Sequence, residues 1–203
     1  MLYIVIVLIC WAVITLVCGL LLSLGFLKVF LYTVLATAAV VALDALTATV
    51  SRLLPSKWLP SEAKIFHVGA REKRFYEKLK IRKWKDKIPE IGHFTGFRKN
   101  KLGDSKSLAY LERFLLESRY GEVGHFVSCI IGFLIVIPFP FLPAEWWVIA
   151  LLVAIVNTFL NLPSLFILRY NSYKLKFLRD SNLKKQARAL QKATENPEKE
   201  TNL

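Results

Sequence analysis

Four long apolar stretches dominate the chain, and almost all of its charge lies between and after them. Residues 2–24 carry no charge, residues 29–50 carry only Asp44, and residues 126–142 and 146–168 again carry none. About 20 helical residues span a hydrocarbon core of about 30 Å. The pattern therefore predicts an all-α integral membrane protein with four transmembrane helices arranged in two hairpins.

The basic residues predict the orientation of these helices. Of the 28 Lys and Arg residues, all but Lys28 lie in residues 52–119 or 169–203. Positive charge near the ends of membrane helices favours the cytoplasmic side. We therefore expect a helical cytosolic loop over 51–125, a cytosolic tail over 169–203, a cytosolic N-terminus, and outer turns at Lys28 and Glu145.

The first stretch has a competing interpretation as a cleaved signal peptide. No Lys or Arg precedes it, and its apolar run is longer than the usual signal-peptide core of about 7–15 residues. These features favour a membrane anchor. Residues 1–203 then form a single membrane domain, whose cytosolic part is too small for an independent enzyme core.

Charge and cysteine content exclude several classes of partner. The net charge is +13, but the cations flank apolar stretches and accompany no nucleic-acid-binding signature. Anionic lipid headgroups or a phosphorylated or acidic donor fit better. Cys10, Cys18 and Cys129 lie in or beside the apolar stretches without metal-ligand spacing, so we expect neither disulfides nor a metal site, and no bound cofactor.

Two basic segments stand out in the predicted loop. Apolar residues recur at helical spacing over 62–79, which predicts an amphipathic helix on the bilayer surface. A cationic run follows at Arg82, Lys83, Trp84 and Lys85. Its Trp is either an interfacial anchor or part of a substrate site, and its cations suit either lipid headgroups or the phosphates of an acyl donor.

A further helix is predicted over 107–125, running into the third span. Glu122 and His125 are three residues apart and share a helical face, where a carboxylate can orient an imidazole as a general base. The alternative is that these residues form the solvated end of a helix with ordinary ion pairs: Glu117, Arg119, Glu122 and His125. His67 and His93 are interpreted as surface histidines.

The fourth span carries two amides on one face, Asn157 and Asn161, followed by Pro163. Proline removes a backbone hydrogen bond and bends a helix, so the amides and the bend together favour a polar cavity. Alternatively, the amides join this helix to another one, with Asp44 as a candidate partner.

Three segments in this order resemble the glycosyl-4,4'-diaponeurosporenoate acyltransferase family of bacterial membrane proteins. They are 75–89 with the Arg-Lys-Trp-Lys run, 114–125 with Glu117, Glu122 and His125, and 161–175 with Asn161, Pro163, Arg169, Tyr170 and Asn171. The chain departs from the family pattern at Phe126, where the family has Trp, and at Ser172 and Lys174, where it has Arg.

The resemblance implies transfer of a fatty acyl group onto a sugar hydroxyl of a glycosylated carotenoid or related glycolipid in the bacterial cytoplasmic membrane. Acyl-CoA or acyl carrier protein is the expected donor. We expect His125 as the base, oriented by Glu122 or Glu117, and Asn161, Arg169 or Asn171 as oxyanion donors. Tyr170 and the cationic run are expected to bind substrate.

Two other functions remain compatible with the residues. One is a non-enzymatic membrane scaffold for pigment or envelope enzymes, in which the polar groups only join helices. The other is a different lipid-modifying membrane enzyme, such as a reductase or methyltransferase. No motif for a Gly-rich phosphate loop or a serine nucleophile elbow is present, so the acyltransferase prediction comes from the resemblance.

Overall fold

The computed structural model describes residues 2–88, 102–137 and 142–195, and every regular element in these ranges is helical. The all-α prediction is confirmed for this part of the chain, and His93 lies outside it. Four short 3-10 helices accompany the α-helices, at Ser56–Trp58, Lys64–Phe66, Lys85–Lys87 and Gly132–Val136. The α-helices are α1 Leu2–Leu21, α2 Phe26–Leu53, α3 Ala70–Lys78, α4 Ile81–Trp84, α5 Leu108–Ile131 and α6 Trp146–Glu195.

Four of these helices are long and apolar enough to cross a membrane: α1, α2, α5 with its 3-10 extension, and α6. Their outward faces carry exposed Leu, Ile, Val and Phe side chains. Such faces suit hydrocarbon, because a helix satisfies its backbone hydrogen bonds internally and presents only apolar side chains to lipid. The expectation of four span-forming helices is confirmed at the level of length and composition.

The third span ends earlier than expected, whereas the helix that leads into it begins as predicted. The apolar stretch at 126–142 corresponds to the second half of α5 and the short helix Gly132–Val136, since α5 already begins at Leu108. Ser107 caps it by accepting from the Tyr110 N–H at 3.2 Å, as the predicted helix from residue 107 requires. Pro138 in the sequence disfavours helical backbone at the residue before it, which explains the early end.

The last helix is much longer than its apolar part. α6 has 50 residues, which corresponds to about 75 Å at about 1.5 Å per residue. It continues without a break from the apolar stretch into the basic tail, and Pro163 lies within it. The first part of the tail is therefore helical, as far as Glu195.

Contacts between side chains define the directions of the packed helices. Lys28 lies 3.7 Å from Glu145, and Asp44 bonds Asn161 further along both helices, so α2 and α6 run parallel. Ser172 bonds Glu122 and Thr158 bonds the Cys129 carbonyl, so α5 and α6 run antiparallel. The predicted outer turns at Lys28 and Glu145 therefore lie at the same end of the bundle.

An apolar core holds α1 and α2 against the start of α6. Its buried members come from α1, α2, the Gly132–Val136 helix and α6. The Trp146 indole is 5 % exposed and donates to the Ile135 carbonyl at 2.8 Å, which satisfies its N–H inside the core. At the opposite end of α2, Arg52 approaches Glu117 of α5 at 3.5 Å.

The loop between α2 and α5 contains less helix than expected. The helix predicted from Glu62 is wrong in extent, because α3 begins only at Ala70 after a 3-10 turn at Lys64–Phe66. Gly69, which precedes α3, has extended backbone and ends the preceding segment. Lys80 adopts a left-handed conformation with φ of 52°, which turns the chain so that Ile81 is fully buried.

Close packing between α5 and α6 gives a testable prediction at Gly121. A Cβ at this position would lie 2.8 Å from the Leu168 Cδ1. We expect Gly121→Val to destabilise the protein by about 1–3 kcal/mol through overpacking, seen as a lower thermal midpoint in detergent. Gly25→Val is the matched control, because a Cβ at Gly25 meets no atom within 4 Å; equal midpoints for the two variants would contradict the packing.

Candidate active site

Four polar side chains from three helices meet inside the apolar part of the bundle. This histidine network consists of Asp44 of α2, His125 of α5, and Asn157 and Asn161 of α6. His125 Nδ1 lies 2.8 Å from Asn161 Oδ1, and Asn161 Nδ2 lies 3.1 Å from Asp44 Oδ2. Asn157 Nδ2 donates to Asp44 Oδ1 at 3.4 Å and to the Ser128 carbonyl at 3.2 Å. The structure thus contains the contact of the alternative interpretation, in which the amides join α6 to another helix through Asp44.

The contact with Asn161 determines which nitrogen of His125 carries the proton. An amide oxygen only accepts, so Nδ1 is the donor in this bond. In the neutral ring Nε2 then bears the lone pair. The bond to Asn161 is the one hydrogen bond of His125 within the described residues, so no described protein group occupies Nε2. This is the arrangement required of a general base.

Neighbouring groups extend the network along α5 and α6. The Thr158 hydroxyl donates to the Cys129 carbonyl at 2.9 Å, and the Cys129 thiol lies 3.9 Å from the Thr158 carbonyl. Asp44 lies nine residues before the end of α2, about 14 Å along its axis. The site is therefore set below the end of α2, inside the apolar part of the bundle. Within the described residues no three His, Cys, Asp or Glu side chains could hold a metal ion.

A second polar cluster lies where the loop packs on the helices. This arginine network consists of Glu72 and Tyr76 of α3, Glu122 of α5, and Arg169 and Ser172 of α6. Arg169 forms a bidentate pair with Glu72, with Nη2 3.0 Å from Oε2, and also approaches Glu122 Oε2 at 3.3 Å. Ser172 donates to Glu122 Oε1 at 2.5 Å, and Tyr76 donates to Glu72. The network fastens α3 to α5 and α6.

The two carboxylates expected to orient His125 have other partners in the structure. Glu122 is 3 % exposed and is held by Ser172 and Arg169. Glu117 pairs with Arg113 at 2.6 Å and approaches Arg52 at 3.5 Å. Helical spacing placed Glu122 near His125 along α5, but the charges on α6 draw its side chain away. The orienting partner of His125 is Asn161 instead.

The three expected oxyanion donors are not brought together. Both groups of the Asn161 amide are engaged, and Arg169 bonds Glu72, Glu122 and the Ile65 carbonyl. The Asn171 side chain has no hydrogen bond within the described residues. However, it lies ten residues after Asn161, about 15 Å along the helix axis. The donor amides nearest His125 are therefore already used within the protein.

The cationic run lies on the same loop as α3. Arg82 and Lys83 are exposed and have no ion pair within the described residues, whereas Lys85 lies 3.9 Å from Asp86. The Trp84 indole donates to the Leu79 carbonyl at 2.9 Å and packs beside buried Tyr170 and its neighbours. Lys174 covers the Tyr170 ring at 4.3 Å. The segment is thus anchored to α6, and two of its cations have no ion-pair partner in the part of the chain that the structure describes.

Sequence reasoning did not assign functions to Glu72, Tyr76 or Ser172. Glu72 is the single acidic residue in the run Ala70 to Arg74, and Tyr76 follows four residues later on the same face. That spacing is a signal for a paired carboxylate and phenol. Ser172 lies where the chain departs from the family pattern, and its hydroxyl contacts Glu122.

In the described residues, the fold and the networks together define a helical protein with four helices able to cross a membrane and a half-buried imidazole held by the amide of Asn161. The sequence profile of the glycosyl-4,4'-diaponeurosporenoate acyltransferase family matches residues 55–181, which is more than half of the chain. The chain therefore belongs to this family, as its three segments suggested. A search of curated proteins and a search of solved structures returned no significant match.

The ionisation of Glu72 gives a pH-dependent prediction. Burial raises the pKa of this carboxyl, but the hydrogen bonds from Arg169 and Tyr76 outweigh burial and bring the pKa below its ordinary value. A depressed pKa stabilises the fold above the ordinary carboxyl value of about 4.3, and this stabilisation is lost as the pH falls through the folded-state pKa.

We therefore expect Glu72→Gln to cost about 1–3 kcal/mol at neutral pH, because Arg169 loses a charged partner. The difference in thermal midpoint between wild type and variant is expected to shrink below about pH 4. Glu77→Gln is the matched control on the same helix, since Glu77 is half-exposed and its one ion pair among the described residues is with Lys73 at 3.6 Å. A pH-independent difference would contradict the role of Glu72.

Proposed function

We propose that the protein is a membrane acyltransferase that moves a fatty acyl group onto a sugar hydroxyl of a glycosylated carotenoid or related glycolipid. Its membership of the acyltransferase family supports a transferase role. The observation that carries the proposal is the His125–Asn161 bond, because it fixes an imidazole with Nε2 as its basic nitrogen. Both residues lie inside the segment that matches the family profile.

The chemistry requires one base and a thioester donor. The Nε2 of His125 takes the proton from the sugar hydroxyl while the hydroxyl oxygen attacks the donor carbonyl. A carbon–oxygen bond forms, the carbon–sulfur bond breaks, and the thiolate leaving group receives the proton from His125. The acceptor reaches the site laterally from the membrane, in which its apolar chain resides.

The free cations are proposed to bind the phosphate groups of acyl-CoA or the acidic surface of an acyl carrier protein. Arg82 and Lys83 are exposed, and their segment packs against Tyr170. Tyr170 lies nine residues after Asn161, about 14 Å along α6. A donor whose phosphate and thioester occupy opposite ends of an extended arm suits this separation.

The proposed orientation follows the distribution of charge. Both termini and the loop face the cytoplasm, and the turns at Lys28 and Glu145 face outward. The ion pair between these two residues supports their location on one side of the membrane. The donor, which is cytosolic, then approaches from the side on which the cationic run lies.

The first test removes the proposed base. In a host strain lacking the gene, wild-type and His67→Ala copies are expected to restore an acylated glycolipid in mass spectra of lipid extracts. His125→Ala at equal abundance is expected to lower its formation about 10²–10⁴-fold, with the non-acylated precursor accumulating. His67 is the matched control because it is an exposed histidine.

An unchanged lipid profile with His125→Ala would instead support the scaffold function. The Asn157 and Asn161 contacts that join α6 to α2 would serve a scaffold equally well. In that case the substitution would change protein abundance or partner capture and leave the acylated product intact.

The second test concerns the donor. We expect the double substitution Arg82→Ala and Lys83→Ala to raise the KM for acyl-CoA about tenfold at low salt, with kcat little changed, since two charges leave the donor site. The effect is expected to shrink at high ionic strength. The control is Lys184→Ala with Lys185→Ala, two exposed cations on α6. Equal KM values for both double variants would exclude the cationic run as the donor site.

A further inference from the structure

Asp44 lies outside the segment that matches the family profile, yet it contacts the candidate site directly. It belongs to α2, and the profile begins at residue 55. Its two carboxylate oxygens receive the amides of Asn161 at 3.1 Å and Asn157 at 3.4 Å. The helix pair preceding the family segment therefore supplies one member of the histidine network.

The surroundings of Asn161 dictate how its amide is oriented. Nδ2 faces three oxygens at 3.1 Å, namely Asp44 Oδ2, the Asn157 carbonyl and Asn157 Oδ1. Turning the amide over would place its oxygen against these three acceptors, and all three of these hydrogen bonds would be lost. Two of these acceptors cannot donate, the Asn157 carbonyl and an ionised Asp44, whereas the Asn157 amide can itself turn. Of the two, Asp44 is the one that a substitution can change.

This orientation reaches His125 through the other end of the same amide. With Nδ2 directed to Asp44, Oδ1 faces His125 Nδ1 at 2.8 Å. An amide turned over would present Nδ2 to the ring and favour the opposite tautomer, in which Nε2 carries the proton and cannot act as a base. The position of the proton on His125 thus depends on Asp44, which is connected to the ring through Asn161.

We propose that Asp44 is a positioning residue that fixes the Asn161 amide and thereby holds His125 in its Nδ1-protonated, Nε2-basic tautomer. The inference rests on the proposed function, since it takes His125 to be the base. Among the described residues Asp44 makes no hydrogen bond to His125, and the hydrogen-bonded path between them runs through Asn161. The parallel register of α2 and α6, marked by Lys28–Glu145, brings it to this level.

The experiment compares Asp44→Asn, Asp44→Glu and Thr37→Val in purified protein. An amide at position 44 both donates and accepts and no longer dictates the orientation of Asn161, whereas Glu remains acceptor-only. Thr37→Val is the matched control, because it removes another polar contact of α2, the bond from Trp11 at 3.0 Å. If the amide variant does not accumulate, Asp44→Ser replaces it, since a hydroxyl also donates and accepts.

Two readouts are combined. Steady-state kinetics with acyl-CoA and the glycolipid acceptor separate kcat from KM, and nitrogen-15 spectra report the tautomer of His125 in a background carrying His67→Gln and His93→Gln. We expect Asp44→Asn to lower kcat about 10²–10⁴-fold, as misplaced tautomers do in hydrolytic triads. KM is expected to change less than about twofold, and the spectrum to shift toward the Nε2-protonated form. The kcat of Asp44→Glu is expected to be at least about tenfold higher than that of Asp44→Asn.

The outcomes separate this inference from the proposed function. With His125→Ala inactive, two results would overturn the positioning role. One is a kcat for Asp44→Asn equal to that of Thr37→Val. The other is a lowered kcat with a spectrum that still shows the Nδ1-protonated ring. Full activity of His125→Ala would overturn the proposed function itself. A shifted tautomer together with a selective loss of kcat would establish Asp44 as the positioning residue.

Discussion

The arrangement of the bundle depends on the hydrogen bonds that two amides of α6 donate to Asp44 of α2. A carboxylate within an apolar helix is costly unless donors from neighbouring helices meet it. Asn157 and Asn161 supply these donors, and only one register of α2 against α6 brings both amides opposite Asp44. Apolar packing alone would tolerate sliding of these helices, because hydrocarbon-facing surfaces do not discriminate between registers. The polar contacts therefore select one alignment.

Helix α6 contributes residues to both polar networks, which have different roles. Asn161 connects α6 to His125, while Arg169, eight residues later, connects it to Glu72 and Glu122. Because Arg169 holds Glu122, the imidazole is left with a neutral amide as its partner. A single continuous helix also fixes the separation of the two networks at about 12 Å. The arginine network thus holds the loop between α2 and α5 against α6 without placing its charged groups in the histidine network.

The sequence predicted the parts of this structure that depend on local pattern. Four apolar stretches identified the span-forming helices, and Ser107 marked the start of α5. The Asn157 and Asn161 spacing offered Asp44 as a candidate partner in one of two interpretations, and the structure contains that contact. Prediction failed where local and long-range preferences compete. Periodicity over 62–79 suggested one helix, but Gly69 and the docking of Tyr76 on α6 limit α3 to Ala70–Lys78.

The sequence alone therefore determined the class of protein. The chain is helical and rich in span-length apolar segments, it has basic segments over 52–119 and 169–203, and three of its motifs are similar to a family of acyltransferases. Those properties follow from composition and periodicity, which each residue carries regardless of the fold. Only the tertiary structure decided which polar groups pair. Glu122 lies one turn from His125 on α5, yet Arg169 and Ser172 bind it, because an ion pair with a buried carboxylate outweighs proximity along a helix. Asn161 reaches His125 across 36 residues because α5 and α6 pack antiparallel at that level.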